Sequence, residues 1–166
     1  MIASTSLGGI LLGGQLGGAV DFDGHNVVGG MFSIYDAKFD TLGTFQWLQP
    51  SNASGSITPT GLASDSEGNT VIAGRSYGDA NFGNGSLTIL GQDSNAFLAK
   101  FGPNGGNALW SKMFGGPGQH DPTALATDPT TKEILLTGMI TQTVDFGTGL
   151  LTSMGGYDVF LAKFQP

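Results

Sequence analysis

The chain contains no cysteine, which excludes a disulfide framework and any thiolate metal site. Stability must come from packing and backbone pairing alone. Charge is scarce as well: 11% of residues are charged, and 6 basic side chains stand against 13 acidic ones, for a net charge of −7. That sign opposes a phosphate backbone or an anionic lipid surface, so no nucleic-acid partner is expected. No stretch reaches the ~20 apolar residues a spanning helix needs, so no membrane insertion is expected either. The opening, MIASTSLGGILLGGQLGGAV, is broken by glycine and has no basic residue ahead of its apolar part, so it does not read as a signal peptide.

Glycine, by contrast, is abundant: 29 of 166 residues. With so few charges, this composition fits many short elements joined by tight turns rather than long salt-bridged helices. The length suits one domain with a real core.

The pattern that organises the chain is an internal repeat. FLAKF stands at Phe97 to Phe101 and again at Phe160 to Phe164, with a diverged copy, YDAKF, at Tyr35 to Phe39. Other landmarks keep step with it. Ile2, Leu62 and Leu125 open the copies; Gly14, Gly74 and Gly138 close a short apolar run; Phe22, Phe82 and Phe146 follow Asp21, Asn81 and Asp145; Trp47 and Trp110 come after the lysine motif. These landmarks set copies at 1–59, 60–122 and 123–166, the third ending before a tryptophan-bearing segment. A unit that recurs in this way must bury its apolar face against its neighbours.

Within a copy, alternating or short apolar runs bounded by Gly, Asn, Asp and Pro predict strands and turns. Copy two reads as four strands, near Thr60–Ser64, Thr70–Arg75, Ala96–Phe101 and Ala108–Phe114. The turn SEGN joins the first pair and GPNGGN the last. The long connection between the second and third holds a wide loop or a small ribbon. In the third strand Phe97, Ala99 and Phe101 share one face, taken as the inter-sheet face, and Leu98 and Lys100 the other. The expected fold is therefore all-β: three repeats of a four-stranded antiparallel sheet, the third lacking its last strand, in the manner of β-propeller blades.

Residues also carry a family resemblance. VDFGTGLLTSMGGYDVFLAKF, NALWSKMFGG and LASDSEGNTVIAG together resemble the bacterial SBBP-type β-propeller repeat, over essentially the whole chain. Copy one departs from the pattern at YDAKF and LGTFQW. The resemblance implies a propeller blade of a large exported or surface bacterial protein, and it carries over no catalytic residue.

Several residues invite a chemical reading. In DFDGHN, Asp21 and Asp23 stand two apart before a glycine, as in part of a calcium loop, but the other acidic positions and the distal Glu are missing. A turn is the favoured reading and a calcium ion the alternative; no other cofactor is expected. His25 and His120 fall at different phases of the repeat and are read as exposed loop residues, with His120 and Asp121 placed to line a propeller mouth as ligand-binding candidates. Neither GxSxG nor HExxH occurs. Lys38, Lys100 and Lys163 recur and are expected to pair with Asp65, Asp128 or Asp158, or to lie over the blade surface. Trp47 and Trp110 have faces able to stack on sugars, though a Trp at a fixed repeat position more often packs between sheets.

Three functions are open to such a chain. The first is a non-catalytic structural or protein-interaction module, extracellular or on a bacterial cell surface, acting with further blades or as a homo-oligomer. The second is a lectin binding glycans between blades, and the third an enzyme with a site at the propeller mouth.

Overall fold

The computed structural model describes residues 1–166 and is all-β, without helix. The first repeat contributes β1 (Ile2–Ser4), β2 (Ile10–Leu16), β3 (Ala19–Phe22), β4 (His25–Val28), β5 (Ser33–Phe39) and β6 (Phe45–Ala53). The second contributes β7 (Ile57–Ser64), β8 (Thr70–Ser76), β9 (Ala80–Asn81), β10 (Ser86–Leu87), β11 (Asn95–Phe101) and β12 (Ala108–Phe114). The third contributes β13 (His120–Thr127), β14 (Ile134–Ile140), β15 (Thr143–Asp145), β16 (Leu150–Thr152) and β17 (Asp158–Phe164).

These strands form three main antiparallel sheets, ordered β1-β2-β5-β6, β7-β8-β11-β12 and β13-β14-β17. The expected strands are all present, with two differences. The first sheet has six strands instead of four, because the ribbon β9-β10 of the next repeat pairs onto the end of β6 through Asn52↔Asn81 and Ala53↔Ala80. β7 and β13 also begin three residues ahead of the expected repeat starts. A register shift lies there, between Pro59 and Gly61 and between Pro122 and Ala124, so each strand continues through the break that the proline suggests.

In each copy the long connection is a two-stranded ribbon, β3-β4, β9-β10 or β15-β16. Its Asp or Asn caps its turn: Gly24 N–H donates to Asp21 Oδ1 at 2.8 Å, Gly83 N–H to Asn81 Oδ1 at 2.7 Å, and Gly147 N–H to Asp145 Oδ1 at 2.6 Å. Its Phe lies on the sheet of the same repeat, with Phe22 5.5 Å from Tyr35, Phe82 5.2 Å from Phe97 and Phe146 4.5 Å from Phe160 between ring centroids. The recurring Asp/Asn-Phe pair is thus a turn cap joined to a core plug.

Each main sheet is two-faced, and the sheets share cores through opposite faces. Phe97, Ala99 and Phe101 of β11 enter one core with Leu11 and Ile34 of the first sheet. Ala96 and Leu98, on the other side of β11, enter a second core with Ile134, Leu136, Phe160 and Phe164 of the third. The expectation that only the aromatic face is inter-sheet is therefore too narrow: every residue of β11 is buried, since a sheet lies on each side. Close approach depends on glycine at two places. A Cβ on Gly74 would stand 2.1 Å from Thr58 O and 2.8 Å from the Phe97 ring, and one on Gly61 would stand 2.4 Å from Leu125 Cβ. Leu125 thus rests on bare backbone of the preceding sheet.

Candidate functional site

The residues singled out by sequence are dispersed. Asp21 ends up in the ribbon, and Asp23 and Gly24, with φ of 53° and 82°, are the central pair of a two-residue hairpin turn. Asp-Gly with both φ values positive is the pair that a type I′ hairpin demands. Asp21 already accepts a backbone N–H there, and no group of three acidic or histidine side chains converges anywhere in the chain. Two exposed carboxylates fall well short of the six to eight oxygens that calcium takes, so the residues present do not fit the ion.

Both histidines depart from the loop reading. His25 lies in β4 and stacks on Phe45 with centroids 4.2 Å apart, its side chain still exposed. His120 is the first residue of β13 and is fully buried, not an exposed loop residue. Its Nδ1 lies 3.1 Å from Ser94 O and its Nε2 3.0 Å from Thr143 O. Both nitrogens face backbone carbonyls, which only accept, so whichever nitrogen carries the hydrogen donates to its carbonyl and the ring lies between two segments of backbone. Asp121 is also buried, and is tied to Ser94 Oγ at 2.7 Å and to Arg75 at 3.3 Å. Arg75, Ser94, His120 and Asp121 form a polar seam between the second and third sheets. Serine, histidine and aspartate are all in it, but Ser94 Oγ–H is directed to Asp121 and the imidazole to carbonyls, which is not the relay of a hydrolase.

The tryptophans sit in separate grooves. Trp47 donates its indole N–H to Pro103 O at 3.0 Å, and its ring lies against Gly105 in the turn of the next sheet. Trp110 is half-buried against the second core, with Lys112 Nζ 5.8 Å from its ring centroid. The recurring lysines diverge in role. Lys38 donates to Gly68 O and Pro103 O, Lys100 pairs with Asp65 at 3.0 Å, and Lys163 pairs with Glu133 at 2.8 Å, rather than with Asp128 or Asp158. Lys100 is buried, so it does not lie over the surface as the snorkelling alternative had it. Burial pushes the Asp65 carboxyl up, but the Asn69 amide and Lys100 outweigh it and hold it below its ordinary value. Asp36 has no such help. It is 1% exposed, its Oδ2 has no hydrogen-bond partner, and burial raises its pKa to about 8.

The feature sequence reasoning missed is at the ends of the stack. The third sheet buries its aromatic face against the second but leaves the other face open, with Val159 80% and Leu161 72% exposed. At the opposite end the first sheet presents Ile2, 73% exposed, and Ile10 from its own aromatic face. The signal was available in the alternation of β17, where Leu161 repeats Leu98, but it became visible only when the sheets were placed in order. No family model matches this chain, and no curated protein matches it.

Proposed function

We propose that this chain is a non-catalytic structural or protein-interaction module, a propeller-type stack of blades from an exported or surface bacterial protein, working through assembly with other chains or blades. The observation that carries this reading is the way successive sheets share cores through opposite faces. The residues that recur are used for this construction: Phe97 and Phe160 as core, Asp21, Asn81 and Asp145 as turn caps, Lys100 in a buried pair, Trp47 as a bridge between sheets. The resemblance of the repeat to the SBBP-type pattern supports the propeller form and the bacterial surface setting.

The reading is tested against its two rivals by a glycan array and a panel of chromogenic ester, glycoside and phosphate substrates, using the intact chain. Neither binding nor turnover is expected. Saturable sugar binding that is lost on Trp110→Ala would overturn the reading in favour of a lectin, and turnover sensitive to His25 or His120 would overturn it in favour of an enzyme.

A further inference from the structure

The two open faces at the ends of the stack are the two halves of an interface that the chain already builds inside itself. In register, Leu135 opposite Lys163 matches Val71 opposite Lys100, and Thr137 opposite Leu161 matches Ala73 opposite Leu98. Position by position, the open face of the third sheet is therefore the face that the second sheet buries. Leu98 and Ala96 are 0% exposed, while their counterparts Leu161 and Val159 are 72% and 80% exposed. Solvent exposure of aliphatic side chains at a position designed for burial marks a surface that awaits a partner.

What covers this face in the internal case is equally specific. On the second sheet it is the aromatic face of the third, led by Leu125, which rests against Gly61. The first sheet has the same aromatic face, on which Phe22 of its own ribbon lies but no further sheet is stacked. Ile2 opposite Leu12 matches Leu62 opposite Ile72 and Leu125 opposite Leu136. Ile10 is 37% exposed where its counterpart Ile134 is 0% exposed. On the third sheet an apolar hollow of about 110 Å³, bounded by Ala124, Leu135 and Leu161, lies beside Ala124, the counterpart of Gly61. Ala124 carries the Cβ that Gly61 lacks, so an incoming strand sits further out here than Leu125 does on Gly61, and the hollow beside Ala124 is what takes its branched side chain.

We infer that the open face of β13-β14-β17 docks the aromatic face of β1-β2-β5 from a second copy of this chain, with Ile2 of that copy seated in the hollow at Leu135 and Leu161. This inference rests on the assembly reading above and names its surface and partner. The contact is heterologous, since the two surfaces differ, so it either closes a ring, two chains giving six sheets in the smallest case, or runs on as a filament.

Light scattering of the intact chain after size exclusion, at concentrations up to hundreds of micromolar, tests it. Wild type is expected at twice the chain mass or more. Leu161→Glu and Ile2→Glu each spoil one face only, and both residues are largely exposed, so circular dichroism should show folded chains; each variant alone should be monomeric. Mixed in equal amounts, they retain one good face of each kind and should form a one-to-one dimer that grows no further. Three results would overturn the inference: a monomeric wild type, whose open face is then covered by a different protein or by further repeats; association unchanged in both variants; or no dimer on mixing. Unchanged association in the variants would leave the assembly reading standing, whereas sugar binding or turnover would remove that reading whatever the mass.

Discussion

Replacing Asp36 by leucine should stabilise this protein, and should do so more strongly as pH rises. Asp36 stands in β5 where the other copies have Leu98 and Leu161, and it faces the second sheet. Gly13 is opposite it on β2, and Leu62 of the second sheet reaches that glycine. Burial raises its pKa from 3.8 to about 8, and no cation is among the causes acting on it. In the folded chain the group therefore keeps its proton across the neutral range, while in the unfolded chain it ionises near 3.8.

The native state then binds more protons than the unfolded state, so stability declines as pH rises between these two values. The stability present at low pH is lost at about 1.4 kcal/mol per pH unit until the folded value is reached. At neutral pH, roughly three units above the unfolded value, the loss comes to about 4 kcal/mol. Leucine removes the whole of it. Added bulk between packed sheets costs about 1–3 kcal/mol, partly offset by the apolar area gained. The net expectation is a gain of about 2–4 kcal/mol at neutral pH, which falls by about 4 kcal/mol to zero or a loss of up to about 2 kcal/mol near pH 4.

Urea unfolding of wild type, Asp36→Leu and Asp36→Asn across about pH 5 to 9 measures this. Asp40, Asp65, Asp128 and Asp145 are all held below the ordinary value, so their contributions are lost only on further acidification and stay constant in that window. Wild type should lose stability with rising pH and level off above about pH 8, and both variants should be flatter. Asparagine matches aspartate in size, so it reports the titration without the change in packing. A difference between wild type and Asp36→Asn that does not vary with pH would refute the reasoning, as would a leucine variant less stable than wild type at neutral pH.

Lys100→Met should destabilise by about 3–5 kcal/mol in urea unfolding, because it strands the buried Asp65 carboxylate; the matching Lys163→Met, at a half-exposed pair, should cost about 1 kcal/mol or less. A similar loss in both would contradict the assigned burial. Gly74→Ala should cost more than ~2 kcal/mol through the clash with Thr58 O and the Phe97 ring, while Gly17→Ala, with nothing near its Cβ, should be close to neutral; thermal melts compare them directly. Trp47→Phe keeps an aromatic ring but loses the N–H bond to Pro103, and should destabilise by about 1 kcal/mol without affecting folding or association.

The parts of this fold that could be read from sequence are those set by local chemistry. FLAKF alternates and is bounded by turn residues, so β11 could be placed within a residue and β17 located by the second copy of the motif, and SEGN and GPNGGN are turns because Asp65 and the glycines make them so locally. His120 escaped because nothing local buries it. It follows GGPGQ and precedes Asp-Pro, a composition that reads as loop, yet its ring is held by Ser94 O from the preceding repeat and Thr143 O from the ribbon. For the connection that holds β9-β10 the choice between a wide loop and a small ribbon stayed open, since strands of two or three residues are too short to show a period.

The second position of the lysine motif shows how far letters and burial can part. Asp36 is 1% exposed, Leu98 is 0% exposed and Leu161 is 72% exposed. Ranked by side chain alone, the carboxylate belongs outside and both leucines inside, so one of the three copies obeys the rule fully and two are inverted. Position in the stack resolves it. Residues 36 and 98 each have a following sheet over them, and residue 161 has none within the chain. A leucine at 161 is therefore informative only after the sheets are ordered, and the two inversions call for opposite experiments. At 36 the sequence must be changed to suit the burial. At 161 a partner must be supplied to suit the sequence.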